Sequence, residues 1–570
     1  MDFAASCRAI ITSAGAASGS ERLHQLFDLV WDNAMEESPE AATYYGHRGA
    51  DSRWTDRSRS AIDRRRRDAG LPLEVLGSIE RSELGEPDQL SYDLLDYDTR
   101  RGVEATAFPG ELLAISQMDG IQQEVATVLG ATPAEDPEGV ANVLARLRAL
   151  PELISQTRDL LEEGVKNGVT PPQITLRDLG SQVRACASID PTVNPLLAEL
   201  KGEAKRQAAP VVLETAAPAF AAFADWIEEV YVPGARQTTA ATDLPDGQAW
   251  YAHLIRTSTT TDLTAEAIHE IGLAEVARIR SEMEVIKAEV GFDGDLRDFF
   301  AHLRTDPQFF FTDAESLLTA YRDICKQVDP GLCRLFGVLP RLPYGVLPVP
   351  AHVERSQTTA YYMPGAPEAH RPGYYYANTY ALASRPRWEM EALTLHEAVP
   401  GHHLQIALAQ ELEDLPRFRR GWSAYTAFVE GWALYAESLG PDLGLYRDPY
   451  SRFGQLTYEM WRAVRLVVDT GMHALGWTRD RAIEFFTDNA GKTDHDIVVE
   501  IDRYLVWPGQ ALAYKLGELK IKELRALSEA EAGGTFDVRA FHDFVLGSGA
   551  LPLEVLERRV RERVPGKMAG

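Results

Sequence analysis

A histidine–glutamate pair in the C-terminal half of the sequence has the residue types of a catalytic zinc site. His396 and Glu397 open the segment His-Glu-Ala-Val-Pro-Gly-His-His-Leu-Gln. In the zinc-binding helix of the His-Glu-x-x-His type, two imidazoles four residues apart reach one ion at about 2.0–2.1 Å. The glutamate beside the first histidine acts there as a general base. His396 is therefore a candidate ligand and Glu397 a candidate base.

The second half of that pattern is displaced. His402 and His403 follow His396 by six and seven residues instead of four. On a regular helix a residue six positions on points about 240° away, and one seven positions on lies about 10 Å along the axis. Pro400 removes one helical hydrogen bond, and the glycine after it adds backbone freedom. We therefore expect a π-type bulge centred on residues 399–401.

Two arrangements of this segment remain open from the residue types alone. In the first, the widened helix turns His402 towards the ion, and His403 points away from it or lines the cleft. In the second, the helix stops at Pro400, and a fresh helix start delivers His403. Both arrangements keep His396 as a ligand.

The third ligand is expected from a second, apolar helix. Glu430 lies among apolar and small residues in the segment 426–437, where an unpartnered carboxylate is costly to bury. Glu437 follows seven residues later, on the same helical face, where it can accept a hydrogen bond from a ligand imidazole. Three protein ligands leave a position for water. The isolated pair His269-Glu270 has no second histidine in reach and is interpreted as helix surface.

The bulk composition limits the partners of the protein. A formal net charge of −27 over 570 residues repels nucleic acid and anionic lipid. No run of about 18 apolar residues is present, and the start Met-Asp-Phe does not resemble a signal peptide. The four cysteines form no CxxC pair, so no disulfide framework or thiolate zinc site is indicated. We expect a cytoplasmic protein that binds neither nucleic acid nor membranes.

The elements that must position these residues are mostly helices. Apolar residues at helical spacing predict helices over residues 20–37, 204–230 and 264–290. The charged segment 53–67 is interpreted as a helix with one solvated face. Residues 136–165 are interpreted as two helices that meet at Pro151. Strand patterns are confined to residues 339–383, most clearly 371–379. We expect an N-terminal helical lobe, 1–240, and a C-terminal lobe with the zinc site, 241–570, as parts of one catalytic unit.

Four motifs in order along the chain carry a resemblance to a known family. HEAVPGHHLQ, FVEGWALYAE, VVDTGMHALGW and RYLVWPGQALAYKLG resemble the bacterial family of domain of unknown function 885, over nearly the whole chain. The site motifs also distantly resemble the gluzincin zinc peptidases, such as angiotensin-converting enzyme, thimet-type oligopeptidases and thermostable carboxypeptidases. This second resemblance implies a mainly α-helical peptidase fold with a deep cleft and one small β-sheet.

The gluzincin resemblance also implies ligand roles. The zinc-binding motif of those peptidases, His-Glu-x-Gly-His, ends in Gly-His. This dipeptide matches Gly401-His402 and favours His402 over His403 as the second ligand. Their later ligand glutamate, often followed by an acid seven residues on, matches Glu430 and Glu437. Dipeptidyl peptidase III tolerates one inserted residue in the His-Glu helix, whereas this chain has two.

Substrate contacts are implied in the same way. Arg503-Tyr504 resembles the Arg-Tyr-Phe-Val segment of angiotensin-converting enzyme, whose tyrosine steadies the oxyanion, so Tyr504 is a catalytic candidate and Arg503 a substrate contact. Those peptidases also add the substrate to an edge strand above the metal, a role for residues 374–379 with Tyr376 and Asn378. Aromatic packing is the alternative for the tyrosines of this segment.

Three further residues have open interpretations. Tyr514 and Lys515 follow a Pro-Gly pair and are candidates to bind a substrate carboxylate, although Lys515 is equally a solvated surface charge. His473 is either a polar support near the cleft or a hydrogen-bonded core histidine.

The function predicted from these patterns is zinc-dependent hydrolysis of oligopeptides. Zinc lowers the pKa of a bound water and polarises the scissile carbonyl, while Glu397 takes the proton and passes it to the leaving amine. One rival is a zinc amidase or esterase that acts on a small non-peptide metabolite. The other is a helical binding protein whose degenerate motif holds no metal.

Overall fold

Helices make up most of the computed structural model, which describes residues 2–350, 354, 358–366, 371–420 and 425–563. One small three-stranded sheet accompanies them. The mainly helical architecture expected from the sequence is therefore confirmed. The chain divides into two compact units, one formed by residues up to Trp250 together with Pro416–Phe418, the other by the remaining described residues. The boundary expected from the sequence lay at residue 240.

The first unit is built from helices alone within its described residues. Their bounds are α1 Phe3–Thr12, α2 Gly19–Glu37, α3 Pro39–Tyr44, α4 Arg59–Asp68, α5 Leu71–Leu76, α6 Glu86–Ala105, α7 Ile121–Ala131, α8 Pro137–Asn167, α9 Leu179–Cys186, α10 Gly202–Val211, α11 Ala217–Trp226 and α12 Val232–Gly234. The last three follow one another through two π-helical turns, Val212–Ala216 and Ile227–Tyr231. Helix α13, Gly247–Thr259, begins here and continues into the second unit.

The expected break at Pro151 is wrong, because α8 continues through this residue without interruption. A proline inside a helix costs one hydrogen bond and about 3 kcal/mol. Leucines on both sides of it, Leu147, Leu150 and Leu153, are buried in the core of the unit. Burial of one such side chain contributes about 1.5–3 kcal/mol, so the packing outweighs the cost of the proline.

The second unit contains the sheet and the remaining helices. Their bounds are α14 Ala265–Glu289, α15 Leu296–Thr305, α16 Ala314–Val328, α17 Leu332–Leu335, β1 Tyr344–Pro348, β2 Ala360–Met363, β3 Gly373–Ala377, α18 Met390–Glu397, α19 His402–Gln410, α20 Thr426–Glu437, α21 Gly440–Leu443, α22 Pro449–His473, α23 Arg479–Asn489, α24 Asp494–Val506, α25 Ala513–Ala532, α26 Val538–Leu546 and α27 Leu553–Arg563. Helix α14 packs against α22, and α20 packs against α25.

The expectation for His269, which lies on α14, is wrong. We expected His269 on the helix surface, but its ring is buried and its Nδ1 lies 2.9 Å from the hydroxyl of Thr470 on α22. The ring also meets the edge of Trp477. Because α14 packs against α22, the face that carries His269 is turned inward.

The sheet has the order β1-β3-β2, so β3 is its central strand. Strand β1 pairs with β3 in parallel, with Tyr344 opposite Gly373, and β2 pairs with β3 in antiparallel, with Tyr362 opposite Tyr375. Tyr375 is fully buried against α16 and α18, whereas Tyr376 faces the other side. Both edges of β3 are occupied, so the expectation that a substrate adds to residues 374–379 is wrong.

Helices α20 and α25 cross at a pair of glycines. A Cβ on Gly517 would lie 1.9 Å from the carbonyl oxygen of Ala427 and 2.7 Å from the Cα of Gly431. Such contacts with backbone atoms leave no room for a side chain. The crossing therefore fixes the height and rotation of α20, the helix that carries Glu430.

We expect Gly517→Ala to lower the free energy of unfolding by about 3 kcal/mol, the upper range for overpacking a core, because two helix backbones must move apart. Gly534 is the matched control, since a Cβ there meets nothing within 4 Å. Chemical denaturation of both variants measures the difference. Equal, small changes in the two variants would contradict the close crossing.

Candidate metal centre

The helix that was expected to bulge is broken instead. Helix α18 ends at Glu397, and α19 begins at His402, so the expectation of a continuous, widened helix is wrong. The Val399–Pro400 peptide between them is cis. Pro400 has no N–H to continue the helical ladder. A Cβ on Gly401 would lie 2.0 Å from the carbonyl oxygen of His396, so only glycine fits at this break.

A side chain from α20 stabilises the segment between α18 and α19. The indole Nε1 of Trp432 donates a hydrogen bond to the carbonyl oxygen of Pro400 at 2.8 Å, and the indole is fully buried. Beyond the break, the N–H of His403 donates to the carbonyl oxygen of Ala398 at 3.1 Å. The position of α19 relative to α18 is thus set by packing and hydrogen bonds.

Three ligand-type atoms converge where α18, α19 and α20 meet. The Nε2 atoms of His396 and His402 lie 3.7 and 3.5 Å from Oε2 of Glu430. All three atoms lie within 4.8 Å of one another. These are the three residues proposed as ligands from the sequence, and the two imidazoles belong to different helices.

Glu437 orients the first imidazole. Its Oε1 accepts a hydrogen bond from Nδ1 of His396 at 2.8 Å, and both side chains are buried. With one proton held on Nδ1, Nε2 is the ring atom that points towards Glu430 and His402. A carboxylate behind a metal-binding imidazole fixes its tautomer and raises its basicity.

The two histidines differ in this respect. Nδ1 of His402 is buried and has no hydrogen-bond partner within the described part of the chain. Its ring stands perpendicular to that of His396, with the centroids 4.8 Å apart. His402 is thus held by packing, and Glu430 is its polar neighbour at Nε2.

His403 faces the opposite way. Its Nδ1 lies 2.9 Å from the hydroxyl of Tyr362 on β2, and its ring packs 4.5 Å from that of Tyr344 on β1. The side chain is 1% exposed, so it does not line a cleft. Burial lowers the pKa of His403 to about 4, which keeps the ring neutral under the sheet.

The electrostatics of the centre favour a cation. Burial by itself would lower the pKa of His396, but hydrogen bonds with Glu430 and Glu437 raise it to about 9. Burial would raise the pKa of Glu430, yet the adjacent His402 and His396 hold it well below its usual range. Glu430 is therefore held as a carboxylate, and the surroundings of the two imidazoles favour positive charge.

Glu397 ends α18 directly after the first ligand. Its side chain makes no hydrogen bond to any residue that the structure describes, and it is 8% exposed. A carboxylate that is neither paired nor hydrogen-bonded keeps its acceptor capacity for water. Its assignment as general base stays a prediction.

Tyr504 lies in a separate polar cluster. Its hydroxyl donates to Oε2 of Glu500 at 2.5 Å and accepts from Nε of Arg465 at 2.9 Å. Among the residues that the structure describes, none of its hydrogen bonds reaches the two histidines or Glu430. Its proton is committed to Glu500, so a role at an oxyanion needs that proton to be redirected. The role stays a prediction.

The neighbours of Tyr504 in sequence and space complete this cluster. Arg503 donates to Oε1 of Gln510 at 2.9 Å and lies 3.5 Å from Glu500. The guanidinium of Arg465 stands 4.5 Å above the ring of Tyr514. Arg503 and Tyr514, both expected to contact substrate, are therefore brought together around Arg465.

Lys515 is neither a substrate contact nor a surface charge. Its ammonium is 0% exposed and lies within 2.9 Å of carboxylates of Glu275, Glu459 and Glu518. The three hydrogens of an ammonium group match three acceptors. Both expectations for this residue are wrong, because the ion cluster joins α14, α22 and α25 inside the unit.

Asn378 and Tyr376 also serve the fold. The amide of Asn378, 1% exposed, donates to the carbonyl oxygens of Glu354 and Thr358 at 2.8 and 3.1 Å. This use of the amide contradicts a substrate-binding role. Tyr376 stacks on Tyr361 of β2 with ring centroids 5.0 Å apart, so the aromatic-packing alternative describes its contacts.

His473 is a core residue. It is 0% exposed, its Nε2 lies 2.9 Å from the carbonyl oxygen of Tyr504, and its ring packs 5.2 Å from that of Tyr251. Of the two interpretations left open by the sequence, the hydrogen-bonded core histidine describes these contacts.

Two arginines of α22 were missed by the sequence analysis. Arg462 places Nη2 3.8 Å from Oε1 of Glu437, the same oxygen that holds His396. Arg465 joins the Tyr504 cluster one helical turn later. The sequence signal was the pair of arginines one helical turn apart in Trp461-Arg-Ala-Val-Arg465. Arginines that become buried require partners.

Solved structures define the class of fold. A "putative lipoprotein" from Colwellia psychrerythraea is 27% identical, with a TM-score of 0.90 over 96% of this chain and 100% of its own. A "putative lipoprotein of unknown function" from Shewanella oneidensis is 17% identical, with a TM-score of 0.75 over the same shares, and this second likeness concerns the fold alone.

The family follows from the sequence. The family model described as "Bacterial protein of unknown function (DUF885)" matches residues 39–560. The chain belongs to this family, which confirms the resemblance drawn from the four motifs. Curated proteins include no significant match. The likeness to gluzincin peptidases rests on the sequence motifs.

The length and apolar character of the helices bear on membrane insertion. None in the described part of the chain has the length and apolar character needed to cross a bilayer. The expected cytoplasmic location stays a prediction.

His402→Ala and His403→Ala form a matched pair that tests the site. We expect His402→Ala to lose stoichiometric zinc, because a residue that would bind the ion directly is removed. The loss of zinc affinity should exceed about 10–100-fold, the effect of removing a residue that only hydrogen-bonds to a metal ligand. His403→Ala should keep zinc and lose thermal stability, because it vacates the space between two tyrosines.

Zinc content after dialysis and thermal melting curves measure the two effects. Loss of zinc from His403→Ala with retention in His402→Ala would reverse the ligand assignment.

Proposed function

We propose that this protein is a zinc-dependent metallopeptidase that hydrolyses oligopeptides. The observation that carries the proposal is the convergence of His396, His402 and Glu430 within 4.8 Å. The gluzincin-like motifs support a peptide substrate and a deep cleft. The amide or ester bond of a small non-peptide metabolite is the alternative for the same site.

The donor set fits zinc in number, type and spacing. Two ligands about 2.0–2.1 Å from a tetrahedral ion lie about 3.3 Å apart. The distances from the imidazole Nε2 atoms to Glu430 are 3.7 and 3.5 Å, a few tenths of an ångström above this value, and all three atoms lie within 4.8 Å of one another. Two nitrogens and one oxygen with a fourth position open is the composition of a catalytic zinc site.

The side chains of the chain divide the remaining work. Glu430 is 21% exposed and His402 12%, so the open side of the triad faces solvent, while Glu437 is sealed behind it. Zinc, when bound, acts as a Lewis acid on a carbonyl oxygen and lowers the pKa of water. Glu397, next to the first ligand, accepts the proton of the attacking water and returns it to the leaving amine.

We expect about one zinc ion per chain and release of about one proton when zinc binds at pH 7. The pKa of His396 is raised to about 9 in the absence of metal, so its ring carries a proton below that pH, and an imidazole must lose it to coordinate. Apparent affinity should rise with pH until about 9 and then level off.

Calorimetry of zinc binding in buffers of different ionisation enthalpy counts the released protons. Protein that takes up no zinc at micromolar concentration would refute the metal assignment, and zinc uptake without proton release would contradict the protonated state of His396.

Glu397→Gln should keep zinc and lose turnover by about 10²–10⁴-fold, because an amide cannot accept the proton of water. Glu430→Ala should lose zinc first, and activity as a consequence. The pair is matched, since each variant removes one carboxylate near the same ion.

Zinc analysis and hydrolysis of a peptide library, with small amides and esters in parallel, separate the outcomes. Equal zinc loss in both variants would show that the separate roles assigned to Glu397 and Glu430 are wrong. Turnover of small amides alone would move the proposal to the alternative substrate class.

A further inference from the structure

A cavity of about 590 Å³ lies within the first unit, and all of its lining residues belong to that unit. Its apolar wall includes Ile62 of α4, Leu160 of α8, and Leu113 and Met118 from the segment between α6 and α7. Tyr44, which is 45% exposed, also lines it, so the cavity is open to solvent. A cavity of this size with apolar walls and a few polar groups is the usual form of a small-molecule site.

The segment that precedes α7 forms a rigid part of the wall. The hydroxyl of Ser116 accepts hydrogen bonds from the N–H groups of Met118 and Asp119 at 3.0 and 3.2 Å. The amide of Gln122 donates to the carbonyl oxygens of Ser116 and Asp119 at 2.8 and 3.0 Å. Gly120, also in the wall, has a φ of +123°, a conformation that residues with a side chain rarely adopt. This side of the cavity is therefore formed before any ligand binds.

The guanidinium and amide donors of the wall are already engaged. Arg57 donates through Nη2 to Oε2 of Glu124 at 2.9 Å. Arg65 donates to a carboxylate of α2 at 3.1 Å and to a main-chain carbonyl oxygen at 2.8 Å. The amide of Gln123 and the hydroxyl of Thr127 donate to main-chain carbonyl oxygens at 3.0 and 3.1 Å.

Several acceptors of the same region are free. Oε1 of Glu124 and Oε1 of Gln123 accept no hydrogen bond from any residue that the structure describes. Oε1 of Gln122 is buried without a partner in the described part of the chain, and this residue is 5% exposed. It lies directly behind the wall, because a Cβ on Gly120 would lie 2.6 Å from it. Free acceptors beside engaged donors call for a ligand that supplies hydrogen-bond donors.

The charges around Glu124 favour a cation. Burial raises the pKa of Glu124; Arg57 opposes this effect, whereas the charges of Glu40 and Asp119 add to it, and the pKa stays above its usual value. Glu111, another carboxylate of the wall, is bound by two arginines of α4. An ammonium group brings a positive charge, three donors and no acceptor. It therefore matches both the free oxygens and the charge of this region.

We propose that this cavity binds a small organic amine, with an ammonium group on an apolar body. The ammonium donates to Oε1 of Glu124 and Oε1 of Gln123, and the apolar body packs on Ile62, Met118 and Leu160. This inference goes beyond the proposed function and does not depend on the candidate metal centre, because every residue that carries it belongs to the first unit.

Three ligands of similar shape and different charge test the site. Phenylbutylamine, phenylbutanol and phenylbutyrate are titrated into the full chain in a calorimeter. We expect one amine per chain, bound about 10–100-fold more tightly than the alcohol, the effect of one hydrogen-bonded charge pair. The butyrate should bind more weakly than the alcohol, because its carboxylate meets the carboxylate of Glu124.

Variants of the wall locate the bound amine. Glu124→Gln should weaken amine binding about 10–100-fold and leave alcohol binding unchanged. Glu214→Gln, at an exposed position outside the wall, is the matched control and should bind all three ligands as the wild type does. Thr127→Trp, at an exposed position that lines the cavity, should fill it and weaken the amine and the alcohol alike.

Thermal melting curves show whether each variant is folded. Glu124→Gln leaves Arg57 without its carboxylate, whereas Thr127→Trp keeps that ion pair and decides the question if Glu124→Gln does not fold. Equal affinity for the amine and the alcohol overturns the inference, as does the absence of amine binding at millimolar concentration. Amine binding that neither variant weakens also overturns it, because the amine then binds elsewhere, the candidate metal centre included.

Discussion

The hydrogen bond between Glu437 and His396 is the interaction on which the candidate metal centre depends. It is 2.8 Å long and lies between two buried side chains. It places the proton of His396 on Nδ1 and leaves Nε2 for the ion. Because Glu437 and Glu430 share α20, one helix supplies both the support of the first ligand and the third ligand. The glycine crossing with α25 holds that helix in place.

Much of the fold could be predicted from local sequence patterns. The wrong predictions concern features that depend on tertiary packing. Helical periodicity placed most long helices, because apolar spacing reflects one buried face. The same reasoning broke α8 at Pro151, since a lost hydrogen bond is visible in the sequence, whereas the leucine packing that outweighs it is not. Strand β3 was located, but its central place in the sheet depends on β1 and β2 pairing from either side, and such long-range pairing leaves no local signature.

The candidate site shows the same division. Residue types and spacing singled out His396, His402 and Glu430, which the structure brings together. They favoured a widened helix over one that stops at Pro400, because the choice between the two is decided by what packs against Pro400. Lys515 was misread, since a lysine in a sequence does not show that three carboxylates from other helices surround it.

The break between α18 and α19 has a consequence for how the protein matures. In a continuous His-x-x-x-His helix, one helix alone presents both imidazoles, and a short peptide can begin to capture the ion. Here the imidazoles belong to two helices whose mutual position is set by Trp432 and by α20. Under the proposed function, the nascent chain therefore offers no preformed pair of ligands, and metal would bind after α18, α19 and α20 have packed together. Under the proposed function, metal that binds only the folded arrangement would also stabilise it, so metal supply would bear on stability as well as on activity.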